Sequence, residues 1–267
     1  MKTLNKSPKI SIIIVNYNNA KFLSKSILSA LKQSYTFKEI IVVDDRSTDN
    51  SIEILKKFKN KILLIKNKKK FTFGSYNQIN CYYKGFLKSS GEYIFFLDSD
   101  DYFRKKKVEI VMREFNKKKK LNIVFDKPIW KYKKKTLKYK FKQKKFIISN
   151  WPNFTPQSCI SVKKDYAKEL FNNLNFKKFE SLWFDFRVAC YSFLKNNGIF
   201  VMPYYLTYYR QLNNSASKNY KTFSKNWWLR RNQAHKFMAF LELKFKLKKK
   251  ITLDMLITKF VCFFYEL

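Results

Sequence analysis

The chain has 267 residues and 46% hydrophobic content, enough for a sizeable core in one large domain or two small ones, which excludes a disordered protein. It carries 57 Lys+Arg against 19 Asp+Glu, a formal charge of +38; Lys is spread along the whole chain beside abundant Asn, Ile, Phe and Tyr, a compositional bias, so charge alone does not identify a polyanionic partner. His235 is the only histidine, which excludes a zinc site with two or more His, and the four cysteines form no C-x-x-C pair and resemble no disulfide framework.

The N-terminal "MKTLNKSPK" is followed by no apolar signal segment, and no apolar stretch approaches the ~20 residues that span a bilayer. A cytoplasmic protein is expected. Residues 10–15, "ISIIIV", read as a buried strand. The following "NAKFLSKSILSALKQS" places Phe22, Leu23, Ile27, Leu28 and Leu31 at helical spacing, with Asn18 or Asn19 as N-cap. "KEIIVVDD" is a second buried strand, and Ser47 or Thr48 is expected to cap the helix carrying Ile52, Ile54, Leu55 and Phe58. Residues 61–65, "KILLI", form a third strand. A helix over roughly 78–87 leads into a fourth, "YIFFL". This β-α-β-α-β-α-β order with short links predicts a Rossmann-like, mostly parallel sheet with helices on both faces.

Beyond residue 103, "KKKVEIVMREF" reads as a helix. "KPIWKYKKKTLKYKFKQKKFI" reads as one or two strands or a flap. "SLWFDFRVACYSFLKNNG" is a helix closed by Gly198, and "GIFVMPYYLTYYR" a strand region interrupted by Pro203. The expected organisation is an α/β domain over 1–220, with halves 8–103 and 104–220, and a basic helical extension over 221–267.

Scarce acids gather at strand ends. Asp44 and Asp45 follow the second strand; Asp98, Asp100 and Asp101 follow the fourth; Asn16, Tyr17 and Asn18 follow the first. Ligands of open parallel sheets bind at such ends. Crowded carboxylates repel, and a divalent cation offsets them: Mg²⁺ or Mn²⁺ prefers oxygen ligands and is held by one or two carboxylates plus phosphates. A solvated turn capping the next helix would use the same residues, since Asp is common in turns; the second acidic pair weakens that alternative.

"ISIIIVNYN", "EIIVVDDRSTDNS" and "GEYIFFLDSDD", in that order, resemble the N-terminal signatures of family 2 glycosyltransferases. "WFDFRVACYSFLKNNGIFVMPYYLTYYRQLNNSAS" resembles the acceptor-side block of that family, so the likeness covers residues 10 to 217. It implies the GT-A fold and inverting, metal-dependent transfer from a nucleotide-diphosphate sugar, a UDP-sugar, to a glycan or lipid-linked acceptor in bacterial surface polysaccharide or lipooligosaccharide synthesis. It further implies that Tyr17 packs beside the base and Asp45 hydrogen-bonds its uracil-type edge. Asp98 then lies near the ribose, Asp100 holds the Mn²⁺ or Mg²⁺, Asp185 is the general base and Arg210 faces the diphosphate. The chain departs from the family pattern where Tyr82 and Tyr83 stand for Arg-Asn, where "RKKK" replaces a proline after the acidic segment, and where Phe184-Asp185 stands for Glu-Asp. Asp185 is a better base than Asp165, which sits in a Lys-rich helix start, or Asp126, which precedes the basic flap.

Two other readings compete. A nucleic-acid-binding protein would use the charge and the interleaved aromatics of "WKYKKKTLKYKFKQKKF", but acids at strand ends repel phosphates. A nucleotidyltransferase would show a Gly-rich loop near the first strand, and no Gly precedes Gly74. Finally, residues 251–267 place Leu253, Leu256, Ile257, Phe260, Val261, Phe263, Phe264 and Leu267 on one helical face, directly after the basic run "KFKLKKK". Residues 244–267 therefore suit peripheral attachment to an anionic membrane on the cytoplasmic side. The same stripe would equally serve a helix that buries that face on the rest of the chain.

Overall fold

The computed structural model describes residues 7–133, 135–141, 149–174, 178–212 and 220–266. β1 (Ile10–Asn16), α1 (Ala20–Leu31), β2 (Lys38–Asp44), α2 (Ser51–Lys56), β3 (Leu63–Lys66), α3 (Gly74–Leu87) and β4 (Tyr93–Asp98) alternate as the sequence predicts. There follow β5 (Tyr102–Phe103), α4 (Lys107–Lys117), β6 (Ile123–Lys131), β7 (Thr136–Lys138), β8 (Ile160–Lys163), α5 (Lys164–Asn173), α6 (Phe184–Asn196), β9 (Val201–Arg210), α7 (Lys225–Lys244) and α8 (Leu253–Glu266).

One sheet runs β3-β2-β1-β4-β8-β6-β9-β5, with β7 paired to β6. Its first four strands are parallel, and β8 enters antiparallel between β4 and β6. The winding reverses between β1 and β4, the position where open α/β sheets leave a crevice. All seven residues of β1 are buried, which is why it reads as a continuous apolar run. Alternate residues nevertheless feed different cores. Ile13, Val15, Ile41, Val43 and Phe96 pack under α3, α5, α6 and α7; Ile12, Ile14, Val42, Phe95 and Leu97 pack under α1, α2 and α4. Phe237, Met238 and Leu241 bring α7 into the first of these cores. Among the described residues no helix is long and apolar enough to cross a membrane.

Several local expectations are corrected. Asn19 stands at the N-cap of α1, but its side chain donates to Ser99 Oγ at 3.0 Å and does not cap; instead Asp49 Oδ2 accepts the Ala20 N–H at 2.9 Å. Neither Ser47 nor Thr48 caps α2, because Asp49 Oδ1 accepts the Ser51 N–H at 3.0 Å. One carboxylate thus serves two helix starts. β3 begins at Leu63 rather than Lys61. α3 begins at Gly74, four residues before the apolar periodicity starts, because Asn77 exchanges hydrogen bonds with the Phe71 N–H and the carbonyls of Phe71 and Phe73. At the end of α6 the left-handed residue is Asn197 (φ 52°), and Gly198 follows with its N–H on Phe193 O at 2.9 Å. Pro203 does not interrupt β9: Phe125 lies opposite Val201 but Lys127 opposite Tyr205, so a bulge absorbs the proline. Of the basic segment, residues 142–148 lie outside the described residues, as do Ser215 and Ser217 of the acceptor-side block, and Leu267.

Candidate active site

Parallel register brings three strand ends together. Asn16 lies opposite Asp44, and Val15 opposite Asp98. A cleft of about 1340 Å³ opens over this edge, and Tyr17, Asp45, Asp98, Asp100, Asp185 and Arg210 all line it.

At the β1–β2 side the two loops lace into each other. Asn18, in the left-handed region (φ 49°), accepts the Thr48 N–H on Oδ1 at 2.7 Å and donates its own N–H to Ser47 Oγ at 3.0 Å. Asn16 Nδ2 donates to Asp44 Oδ1 at 2.8 Å, and Ser47 donates to Asp44 from both N–H and Oγ. Asp44 is therefore consumed in holding the loops. Its neighbour Asp45 is steadied by Asn67 Nδ2 at 2.6 Å and by the Arg46 guanidinium at 2.9 Å, while bordering the cleft. Tyr17 is 57% exposed at the cleft, a ring open to stacking.

The acidic cluster lies at the end of β4. Oxygens of Asp98, Asp100 and Asp101 lie within 4.8 Å of one another. Asp101 is fully buried and spoken for: Oδ2 accepts Ser158 Oγ at 2.6 Å and Oδ1 accepts the Arg210 N–H at 2.9 Å, tying the turn to β9. Asp98 accepts Tyr82 OH at 2.7 Å and Gln78 Nε2 at 3.1 Å on Oδ1, and Gln157 Nε2 on Oδ2. Burial, then the charge of Asp100, pushes Asp98 up to about 7; burial likewise raises Asp100 and Asp101. Among the described residues, the Asp100 carboxylate alone of the three takes no hydrogen bond from another side chain. The Oε1 atoms of Gln78 and Gln157, whose amide nitrogens hold Asp98, are buried without a partner among the described residues. An all-oxygen set of three crowded carboxylates fits a divalent hard cation.

Arg210 ends β9 with its guanidinium over the rings of Phe22 (4.6 Å) and Tyr102 (4.8 Å), and it donates to the main-chain oxygen of Asp100. Asp185 comes from the first turn of α6 and accepts the Phe186 N–H at 2.8 Å. Burial raises its carboxyl to about 6, against the opposing pull of that N–H and of Arg230. Arg187, buried, anchors the approach to α6 by donating to the carbonyls of Leu174, Phe179 and Leu182. The two other candidate bases fall away. Asp126 is fully buried on Lys107 Nζ at 2.7 Å, and Asp165 sits exposed in the first turn of α5, outside the cleft.

Sequence reasoning missed the residues that hold the acids. Gln78 and Tyr82 face Asp98 from α3, at and near the place where the chain departs from the family pattern. Gln157 and Ser158 arrive from a short 3₁₀ turn at Gln157–Cys159. Lys107 Nζ donates to Asp126, to Ser158 O at 2.6 Å and to Thr207 Oγ1 at 2.7 Å, beneath the cluster. Nothing in its neighbourhood sets this lysine apart from the others in "RKKK". Trp183, Tyr209 and Arg230 also line the cleft.

Residues 11–172 match the protein family described as Glycosyl transferase family 2. The UDP-Glc:alpha-D-GlcNAc-diphosphoundecaprenol beta-1,3-glucosyltransferase WfaP of Escherichia coli is 42% identical over 95 residues, 35% of this chain and 36% of that protein. An uncharacterized glycosyltransferase of Mycoplasma genitalium is 31% identical over 176 residues, 62% of this chain and 57% of that one. The chain spans less than two thirds of the length of these curated relatives. The crystal structure of Staphylococcus aureus TarS in complex with UDP-GlcNAc superposes with a TM-score of 0.59 at 17% identity, covering 94% of this chain and 78% of that one, a likeness of fold.

Proposed function

The chain belongs to glycosyl transferase family 2, and from that premise we propose that it transfers a sugar, with inversion, from a UDP-sugar to a hydroxyl of a glycan or lipid-linked acceptor. The observation that carries the reading is the shared cleft. Asp45, Tyr17, Asp98 and Asp100 follow one another along the sheet edge from β2 to β4, and Asp185 joins them from α6. A nucleotide laid along that edge would pack its base beside Tyr17, with Asp45 accepting from the uracil N–H and Asp98 from a ribose hydroxyl. Asp100 would hold Mn²⁺ or Mg²⁺, which when bound neutralises charge developing on the leaving diphosphate. Arg210, beside Asp100, faces the same diphosphate.

Asp185 takes the proton of the acceptor hydroxyl as that oxygen attacks the anomeric carbon. Attack from the face opposite the leaving group inverts the centre, and the proton ends on the Asp185 carboxylate. A carboxyl raised to about 6 suits this role near neutral pH, because it is charged before attack yet basic enough to accept. The carboxylates grouped at the strand ends, Asp45, Asp98 and Asp100, argue against a nucleic-acid backbone along that edge. An acceptor like the diphosphoundecaprenol-linked one in the name of the Escherichia coli relative would keep the chain in the cytoplasm, peripheral on the inner face of the membrane, in surface polysaccharide or lipooligosaccharide synthesis.

The test is a panel of nucleotide sugars measured by titration calorimetry with Mn²⁺ and with a chelator. A uridine diphosphate sugar should bind at least about tenfold more tightly with the metal present. Equal binding of all nucleotides, or tight binding in chelator, overturns the donor and metal assignments.

A further inference from the structure

We infer that α8, with the lysine run before it, is a docking surface for an anionic lipid bilayer. The inference goes beyond the reaction and rests on how α8 is seated. Its polar side is the buried one. Asp254 accepts Arg231 Nε at 2.6 Å on Oδ1 and lies 3.0 Å from His235 Nε2 through Oδ2, both on α7. Thr258 and Cys262, one and two turns on, are also buried, as is Met255 beside them. The apolar side faces out: Leu253, Leu256, Ile257, Phe260, Phe263 and Phe264 are exposed, from 45% at Ile257 to 71% at Leu253. At the helical period these six fall within an arc of roughly 120°. A helix that belonged to the core would turn this stripe inward, and this one turns Asp254, Met255, Thr258 and Cys262 inward instead. Two phenyl pairs, Phe260–Phe264 and Phe263–Phe264, meet edge to face on the exposed side.

Charge selects the occupant. Lys244, Lys246, Lys248, Lys249 and Lys250 are all exposed immediately before α8, with Leu243, Leu247 and Ile251 exposed among them. A second copy of a chain carrying +38 would bring the same lysines against them and be repelled. An anionic bilayer satisfies both halves: phosphate headgroups meet the ammonium groups while Leu and Phe enter the acyl boundary to about 5–10 Å.

The experiment is co-sedimentation of the full chain with vesicles of phosphatidylcholine alone and mixed with phosphatidylglycerol, at about 150 mM salt, where surface attraction is partly screened. So basic a chain adheres to anionic vesicles by charge alone, and the deciding variant therefore keeps every charge: Leu256→Gln/Phe260→Gln/Phe263→Gln. These side chains are exposed, so circular dichroism melting should match the parent. Its partition coefficient for mixed vesicles should fall by more than about tenfold. Lys248→Gln/Lys249→Gln/Lys250→Gln should lose roughly a hundredfold, about fivefold per lysine. Parent-like binding by the apolar variant overturns the proposal, as does equal binding to both vesicle types. Sedimentation equilibrium showing a dimer that the apolar variant abolishes would assign the face to a second copy and overturn it too.

Discussion

Acid titration of the transfer rate distinguishes a base in the Asp185 position from an ordinary surface carboxylate. The deep seat of Asp185 in the cleft raises its pKa to about 6, and only the deprotonated form accepts a proton. A base with that pKa is roughly 99% charged at pH 8 and roughly 9% charged at pH 5, so kcat at saturating donor should fall about tenfold between them. An unperturbed aspartate near pH 4 would lose less than about a tenth over the same interval. Arg230 pulls the Asp185 pKa down, so Arg230→Met should move the midpoint to higher pH. Asp185→Asn should bind donor normally, lose transfer by about 10²–10⁴-fold and show no limb near pH 6. The assay is released UDP against pH at saturating Mn²⁺, with donor binding measured at each pH. A midpoint near 4, or near-parental transfer by Asp185→Asn, refutes the assignment. So does a donor affinity that falls with the same midpoint, because the titrating group would then belong to the acidic cluster around Asp98.

The other expectations test the cluster and its supports. Asp100→Asn should fold normally and lose Mn²⁺-dependent donor binding by tenfold or more; parental turnover would remove Asp100 from the metal site. Lys107→Met leaves Asp126 buried without its cation and should cost about 3–5 kcal/mol in urea denaturation, with Asp126→Asn in the same chain recovering part of it. Burial raises the Glu39 carboxyl, but donors from Ser11, Ser90 and Lys9 outweigh it and hold the pKa at about 2, below the ordinary 4.5. Its stabilisation is therefore present above pH 4.5 and lost as pH falls toward 2. Glu39→Gln should flatten that part of the stability–pH curve measured by thermal melting.

Much of the nucleotide-side architecture was determined by sequence alone. Buried parallel strands read as unbroken apolar runs, and their ends are marked by abrupt polar residues, so "ISIIIVNYN" and "YIFFLDSDD" declare both a strand and its functional edge locally. The six candidate residues that line the cleft were legible for the same reason: each lies at a strand end or a helix start, or in a motif. Tertiary structure decided what depends on distant partners. Gln157 reaches Asp98 across 59 positions, and Lys107 reaches Thr207 across 100, so no local pattern could announce either. Asp98 ends β4 and Asp101 follows it closely, yet only the packing of Ser158 and β9 shows that Asp101 is a brace. In α8 the sequence revealed two faces but not which would be buried. Amphipathicity is a property of one helix, whereas burial depends on the surface it meets, and Arg231 and His235 on α7 took the polar face.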